Sequence, residues 1–197
     1  HPVLHLDLNA KKYETAADLI AMLNQYLEKW EAIYGNEKKD RSPEERFSYV
    51  IEQASLKTGK GVVVLVDEYD KPMLQAIGNG ELQKEYRNTL KPFYGVLKTM
   101  DGCIKLAFLT GVTKFSQVSV FSDFNQPNDI SMSPKYDTIC GITDEELEQT
   151  FSQQIEELAA VYDYTGEKMR AVLKKRFDGY HFSKRMKGVY NPFSILN

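Results

Sequence analysis

The residues of this sequence best suited to chemistry are two adjacent carboxylates, Asp67 and Glu68. They come directly after residues 62–66, which read VVVLV. An apolar run without alternation is typical of a parallel strand that is covered on both faces. The run therefore predicts a buried strand that delivers both acids to its carboxyl end, which is where ligands bind in open α/β sheets.

A second apolar run, IKLAFL at residues 104–109, ends directly before Thr110 and Gly111. If the two strands are neighbours, the acid pair and Thr110 face one crevice. Magnesium prefers oxygen ligands and keeps several waters, so a single carboxylate such as Asp67 suits it. Glu68 can then orient a water toward a γ-phosphate that the Thr110 hydroxyl contacts, because phosphoryl transfer is catalysed mainly by positioning and charge placement. The competing explanation is structural, since many buried strands end in an acid where the chain leaves the core.

The elements around these residues alternate between strand and helix. Residues 3–8 have the alternation of a strand, and apolar residues recur at helical spacing from Leu19 to Ile33. Ser42 then opens a second helix with a capping box. Strands that alternate with helices predict an α/β fold with a mostly parallel sheet, joined by right-handed crossovers.

Helical patterns continue after the acid pair. One helix is expected from Leu82 onward, and Pro92 inside it predicts a kink or two shorter helices. A capping box at residues 143–146 starts a later helical region. We therefore assign residues 1–135 to the α/β core and residues 136–197 to a C-terminal helical portion of the same module.

The bulk composition narrows the classes of function. The net charge of −3 argues against a dedicated nucleic-acid-binding surface, although it leaves room for a local basic patch. Cys103, Cys140 and the three histidines have no metal-ligand spacing, so we expect reduced thiols and no zinc site. No apolar run is long enough to span a membrane and no signal peptide is visible, so we expect a cytoplasmic protein.

Six segments occur in order along the chain and together cover nearly all of it. They are VDEYDKP (66–72), FLTGVTKFS (108–116), SVFSDFNQPNDIS (119–131), YDTICGITDEEL (136–147), FDGYHFS (177–183) and VYNPFSIL (189–196). This ordered series resembles the bacterial AAA-ATPase-like family, whose members often carry a nuclease-like domain of the PD-(D/E)-x-K class further along. The resemblance implies a P-loop-NTPase-like fold that binds ATP and Mg²⁺.

The resemblance also implies roles for individual residues. Asp67 and Glu68 match the Walker B pair, with Asp67 as the magnesium ligand. Thr110 matches the sensor position, and Lys114 matches a basic residue that follows it and faces phosphate. Three further residues belong to the family's signature without a role that we assign: Tyr69, Asp70 and Pro72.

The phosphate-binding loop of that family is missing from this sequence. The only candidate for G-x-x-x-x-G-K-[ST] is TGKG at residues 58–61, with Ala54 at the first glycine position and Gly61 at the Ser/Thr position. It also precedes a predicted strand, whereas a phosphate loop precedes a helix. We therefore interpret Lys60 as a solvated turn residue. The loop, with its strand and helix, is expected to precede His1 in a longer protein of which this chain is a piece.

The sequence thus predicts part of an AAA-like ATPase module, which binds and hydrolyses Mg-ATP in the intact protein but holds ATP weakly as this piece alone. The alternative is a catalytically inactive scaffold for protein contacts. A third hypothesis is a metal-dependent nuclease using Asp67, Glu68 and Lys71, but the acid-x-Lys arrangement that it needs on a strand is not found. Tyr180 and His181 fit either a ligand contact or a packed turn.

Overall fold

The computed structural model describes residues 1–112, 128–182 and 188–196. The chain divides into two compact units, His1–Pro127 and Asn128–Asn197, which we name the N-terminal unit and the C-terminal unit.

The N-terminal unit is built on a three-stranded parallel sheet. Its strands lie in the order β1 (Val3–Asp7), β2 (Val62–Asp67), β3 (Ile104–Leu109). The connecting helices are α1 (Ala16–Tyr34) and α2 (Pro43–Thr58) after β1, then α3 (Lys71–Gln75) and α4 (Gly80–Thr99) after β2. The predicted α/β fold, a parallel sheet flanked by helices, is confirmed.

Local sequence chemistry sets where most of these helices begin and end. Ser42 and Glu45 form the predicted capping box at the start of α2. The same helix ends at Gly59, whose φ of 63° is the left-handed conformation that glycine adopts without a steric cost. Pro92 lies inside α4, which runs as a single helix, so the alternative of two shorter helices is wrong. The short helix α3 was not predicted.

The two faces of the sheet are buried to different extents. The face that carries Leu6 and Val64 is buried against apolar residues of α1, α2 and α4. On the other face, Val3 is 52% exposed and Leu106 is 51% exposed. Val63 and Leu65, which lie on this face of β2, are half-buried. The expectation of a strand covered on both faces is therefore wrong for β3 and only partly met for β2.

Topology explains this asymmetry. The crossovers from β1 to β2 and from β2 to β3 advance across the sheet in the same direction. Right-handed crossovers that advance in one direction place their helices on one face of the sheet. In the described part of the chain β3 also lies at an edge of the sheet, so none of its residues is fully buried.

The C-terminal unit is mainly helical. Its elements are α5 (Asp144–Val161), α6 (Gly166–Phe177), β4 (Asp178–Tyr180), β5 (Val189–Tyr190) and α7 (Pro192–Leu196). Thr143 and Glu146 form the predicted capping box of α5. Residues 178–180, which include Tyr180, form the whole of β4, which pairs with β5 in antiparallel orientation.

None of the helices in the described part of the chain combines the length and the apolar character that a bilayer crossing requires.

Candidate functional site at the carboxyl edge of the sheet

The loops that follow β2 and β3 are hydrogen-bonded to each other at the carboxyl edge of the sheet. The amide of Thr110 donates to the carbonyl oxygen of Val66 over 2.8 Å. The amide of Tyr69 then donates to the carbonyl oxygen of Thr110 over 2.9 Å. Pairing of the two segments therefore continues beyond the ends of both strands, and it fixes Thr110 beside the acid pair.

Side chains join the same two segments. Thr110 Oγ1 donates to Asp67 Oδ1, and the backbone amide of Glu68 donates to Thr110 Oγ1 over 3.4 Å. Asp67 is exposed and Glu68 is half-buried. The structure thus brings together Asp67, Glu68 and Thr110, while the roles given to them above stay predictions.

Glu68 has an unusual backbone conformation. Its φ of 55° lies in the left-handed region, which costs a residue with a Cβ atom about 1–2 kcal/mol. Strained positions of this kind persist where the surrounding structure holds them, and they cluster at functional sites. The strand ends at Asp67, and the left-handed conformation of Glu68 follows directly after it.

Buried polar groups contact the turn after β2. The hydroxyl of Tyr94, on α4, donates to the carbonyl oxygen of Tyr69 over 3.2 Å. Burial raises the pKa of Tyr94 well above its ordinary value, with smaller contributions from Tyr13 and Asp70, so the hydroxyl stays protonated and able to donate. Asp70 is fully buried beside it.

Asp7 is a neighbour of the site that sequence reasoning did not single out. It ends β1 and is in register with Asp67. Its carboxylate accepts a hydrogen bond from the amide of Asn9 over 2.8 Å and so caps the short 3₁₀ helix that follows. The signal was the end of the alternating run in β1, because parallel strands bring their carboxyl ends to one edge.

The donor set at this edge fits magnesium. Among the described residues no group of three or more His, Cys, Asp or Glu side chains could hold a metal ion. Magnesium does not need such a cage, because it retains several waters and is usually bound through one or two carboxylates and substrate phosphates. Asp67 is exposed at the edge and presents such a carboxylate.

The remaining candidate residues lie apart from this cluster or outside what is described. Lys114 lies outside the described residues. Lys60 is exposed in the turn between α2 and β2, in agreement with its interpretation as a solvated residue. Lys71 starts α3 and is not on a strand, so the arrangement needed by the nuclease hypothesis is not formed. Tyr180 and His181 are exposed residues of the C-terminal unit.

A parallel sheet with an acid pair and a hydroxyl at the carboxyl edge defines an α/β protein of the kind that binds ligands at that edge. A sequence profile of the family described as Predicted AAA-ATPase matches residues 1–121. The chain belongs to this family.

One curated relative is much longer than this chain. An uncharacterized protein in the vnfD 5' region of Azotobacter chroococcum mcd 1 is 34% identical over 196 residues, which cover 100% of this chain and 36% of the relative. The chain therefore spans about a third of the length of that relative. No solved structure matches the chain.

Proposed function

We propose that this chain is part of an ATPase module that, in the intact protein, binds Mg-ATP and hydrolyses it. The observation that carries the proposal is the contact between Thr110 and Asp67, with Glu68 directly beside it. Two neighbouring strand ends are held together there by the hydroxyl and the carboxylate. Membership of the Predicted AAA-ATPase family supports the same activity.

Each side chain has a role that its position supports. Asp67, exposed at the strand end, would hold the magnesium ion, which when bound offsets the negative charge of the phosphates. Glu68, which follows Asp67 directly at the end of β2, would orient the attacking water. Thr110, whose hydroxyl contacts Asp67, would sense the γ-phosphate. Lys114 has a phosphate-facing role only through the family resemblance.

In the described part of the chain β3 lies at an edge of the sheet, where the strand of a phosphate-binding loop would fit. A strand that precedes β1 in the intact chain could pair with the edge of β3 and return to β1 through a helix. That crossover would advance in the direction opposite to the others, so a right-handed connection puts its helix on the face that carries Val3 and Leu106. The loop between that strand and that helix would then lie at the carboxyl edge, beside Asp67 and Thr110.

Replacing Glu68 by Gln in the intact protein tests the proposal. This change keeps the size of the side chain but removes the negative charge, so kcat for ATP hydrolysis should fall by about 100-fold or more while ATP binding persists. Glu85→Gln, on the exposed surface of α4, is the matched control and should leave kcat unchanged. Equal turnover by the Glu68→Gln variant and the wild type would contradict the role of Glu68.

The second candidate function is an inactive scaffold that keeps the fold for protein contacts. It is favoured by the TGKG segment, in which Gly59 ends a helix and precedes a strand, so this segment is no phosphate loop. We therefore propose that residues 1–197 alone bind ATP weakly. An intact protein that has a phosphate loop but no magnesium-dependent ATP turnover would favour the scaffold.

The wider setting of the module is also a proposal. The relative is much longer than this chain, which leaves room for the nuclease-like domain that the family resemblance implies. A cytoplasmic location would supply ATP and magnesium, and it would keep Cys103 and Cys140 reduced. The charge of the chain gives no support for nucleic acid as a partner of these residues.

A further inference from the structure

Asp70 is a buried acid next to the site, and neither the family match nor the roles above explain it. Its exposed fraction is 0%. A buried carboxylate is costly unless hydrogen bonds satisfy it, so its retention in the fold needs a reason. It follows Glu68 by two residues and lies at the start of α3.

The carboxylate of Asp70 is directed at the loop that carries Thr110. The amide of Val112 donates to Asp70 Oδ1 over 3.3 Å. Gly111 lies so close that a Cβ atom there would come within 2.6 Å of Asp70 Oδ1 and within 2.6 Å of Tyr69 Cε1. The backbone after β3 therefore packs directly onto the side chains of the turn after β2.

We propose that Asp70 is a positioning residue that holds the loop after β3 against the turn after β2, so that Thr110 stays in contact with Asp67. Thr110 forms two backbone hydrogen bonds with the β2 segment, and Val112, two residues further along, donates to Asp70. Tyr94 fixes the turn itself from α4. Gly111 is required because only a residue without Cβ lets the two segments approach this closely.

Because this role rests on the proposed ATP hydrolysis, the test measures kcat and KM for ATP in the intact protein. Asp70→Ala removes the acceptor, which releases the loop, and a misplacement of about 1 Å should lower kcat by about 10–100-fold while KM stays within about threefold. Asp70→Asn keeps an acceptor oxygen in a neutral and weaker bond, so kcat should recover to within about fivefold of wild type.

Two further variants separate positioning from a general loss of stability. Asn79→Ala removes the side-chain cap of α4, in which Asn79 Oδ1 accepts from the amide of Leu82 over 3.1 Å. Like Asp70→Ala, it destabilises the fold by removing a side-chain acceptor of a backbone amide, but this acceptor is not part of the site. Its kcat should match wild type. Gly111→Ala pushes the two segments apart while Asp70 stays intact, so it should lower kcat by about as much as Asp70→Ala does. It keeps the proposal testable if the Asp70→Ala variant does not fold.

The outcomes distinguish this role from the proposed function. If hydrolysis depends on Glu68 and both Asp70→Ala and Gly111→Ala behave like Asn79→Ala, Asp70 is not a positioning residue and the ATPase proposal stands. If Asp70→Ala changes KM and not kcat, Asp70 acts in binding and the positioning role is wrong. An intact protein without any hydrolysis that depends on Glu68 would overturn both.

Discussion

The turns before and after β2 each contain a residue with a positive φ, and these two residues have different side chains. Before the strand, Gly59 has a φ of 63°, and after the strand Glu68 has a φ of 55°. Glycine takes the left-handed conformation without a steric cost, whereas a residue with Cβ loses about 1–2 kcal/mol there. The chain uses glycine where the turn only ends a helix and glutamate where the turn carries the acid pair.

The two turns also differ in what lies around them. The TGKG segment has the residue types of a phosphate-binding loop, yet Gly59 ends α2 and Lys60 is exposed. The VDEYD segment has no glycine, yet its acid pair contacts the next strand end. Residue types alone would suggest the TGKG segment as the ligand site, whereas a position at the carboxyl edge of the sheet favours the VDEYD segment.

The largest effect is expected when Glu68 is replaced by glycine, the residue with positive φ in the turn before β2. Glu68→Gly in the intact protein should lower kcat for ATP hydrolysis by about 100-fold or more, because the carboxylate that we propose orients the attacking water is gone. The same change should leave stability unchanged or raise it by up to about 1 kcal/mol, since relief of backbone strain is partly offset by the more flexible unfolded chain. Urea unfolding measures the second quantity. A large loss of stability would mean that Glu68 is kept for the fold.

An effect of intermediate size is expected at Thr110. Thr110→Val keeps the shape of the side chain but removes the hydroxyl that donates to Asp67, so kcat should fall by about tenfold, which corresponds to about 1.4 kcal/mol. Thr110→Ser keeps the hydroxyl and serves as the control, with activity close to wild type. Steady-state ATP hydrolysis by the intact protein measures both. Similar rates for the Val and Ser variants would show that the hydroxyl contact is not needed.

The smallest effect is expected at the amino end of β2. A Cβ atom added to Gly59 meets nothing within 4 Å, so Gly59→Ala should cost only the backbone strain, about 1 kcal/mol, without any effect on ATP hydrolysis. Gly59→Asn should cost less, because asparagine tolerates the left-handed conformation. Urea unfolding of this chain, followed by the fluorescence of the buried Trp30, measures both. A loss of hydrolysis in Gly59→Ala would reopen the TGKG segment as part of the site.

Much of the N-terminal unit follows from short-range patterns. Alternation predicts β1 and its one-sided burial, apolar runs predict β2 and β3, and the capping box at Ser42 predicts the start of α2. Full burial of β2 and β3 was not found, because an apolar run shows what a strand can bury and not which elements are present to cover it. Here both crossovers fall on one face, which leaves Val3 and Leu106 half exposed.

The candidate site, too, could be predicted from the sequence only in part. Local patterns are enough to show that Asp67, Glu68 and Thr110 lie at strand ends, because hydrophobic runs and the residues that end them are local properties of the chain. The contact between Thr110 and Asp67, and the burial of Asp70 against the loop after β3, could be seen only in the folded chain. Strand order and register are set by packing between segments more than 40 residues apart, and no local pattern encodes that packing.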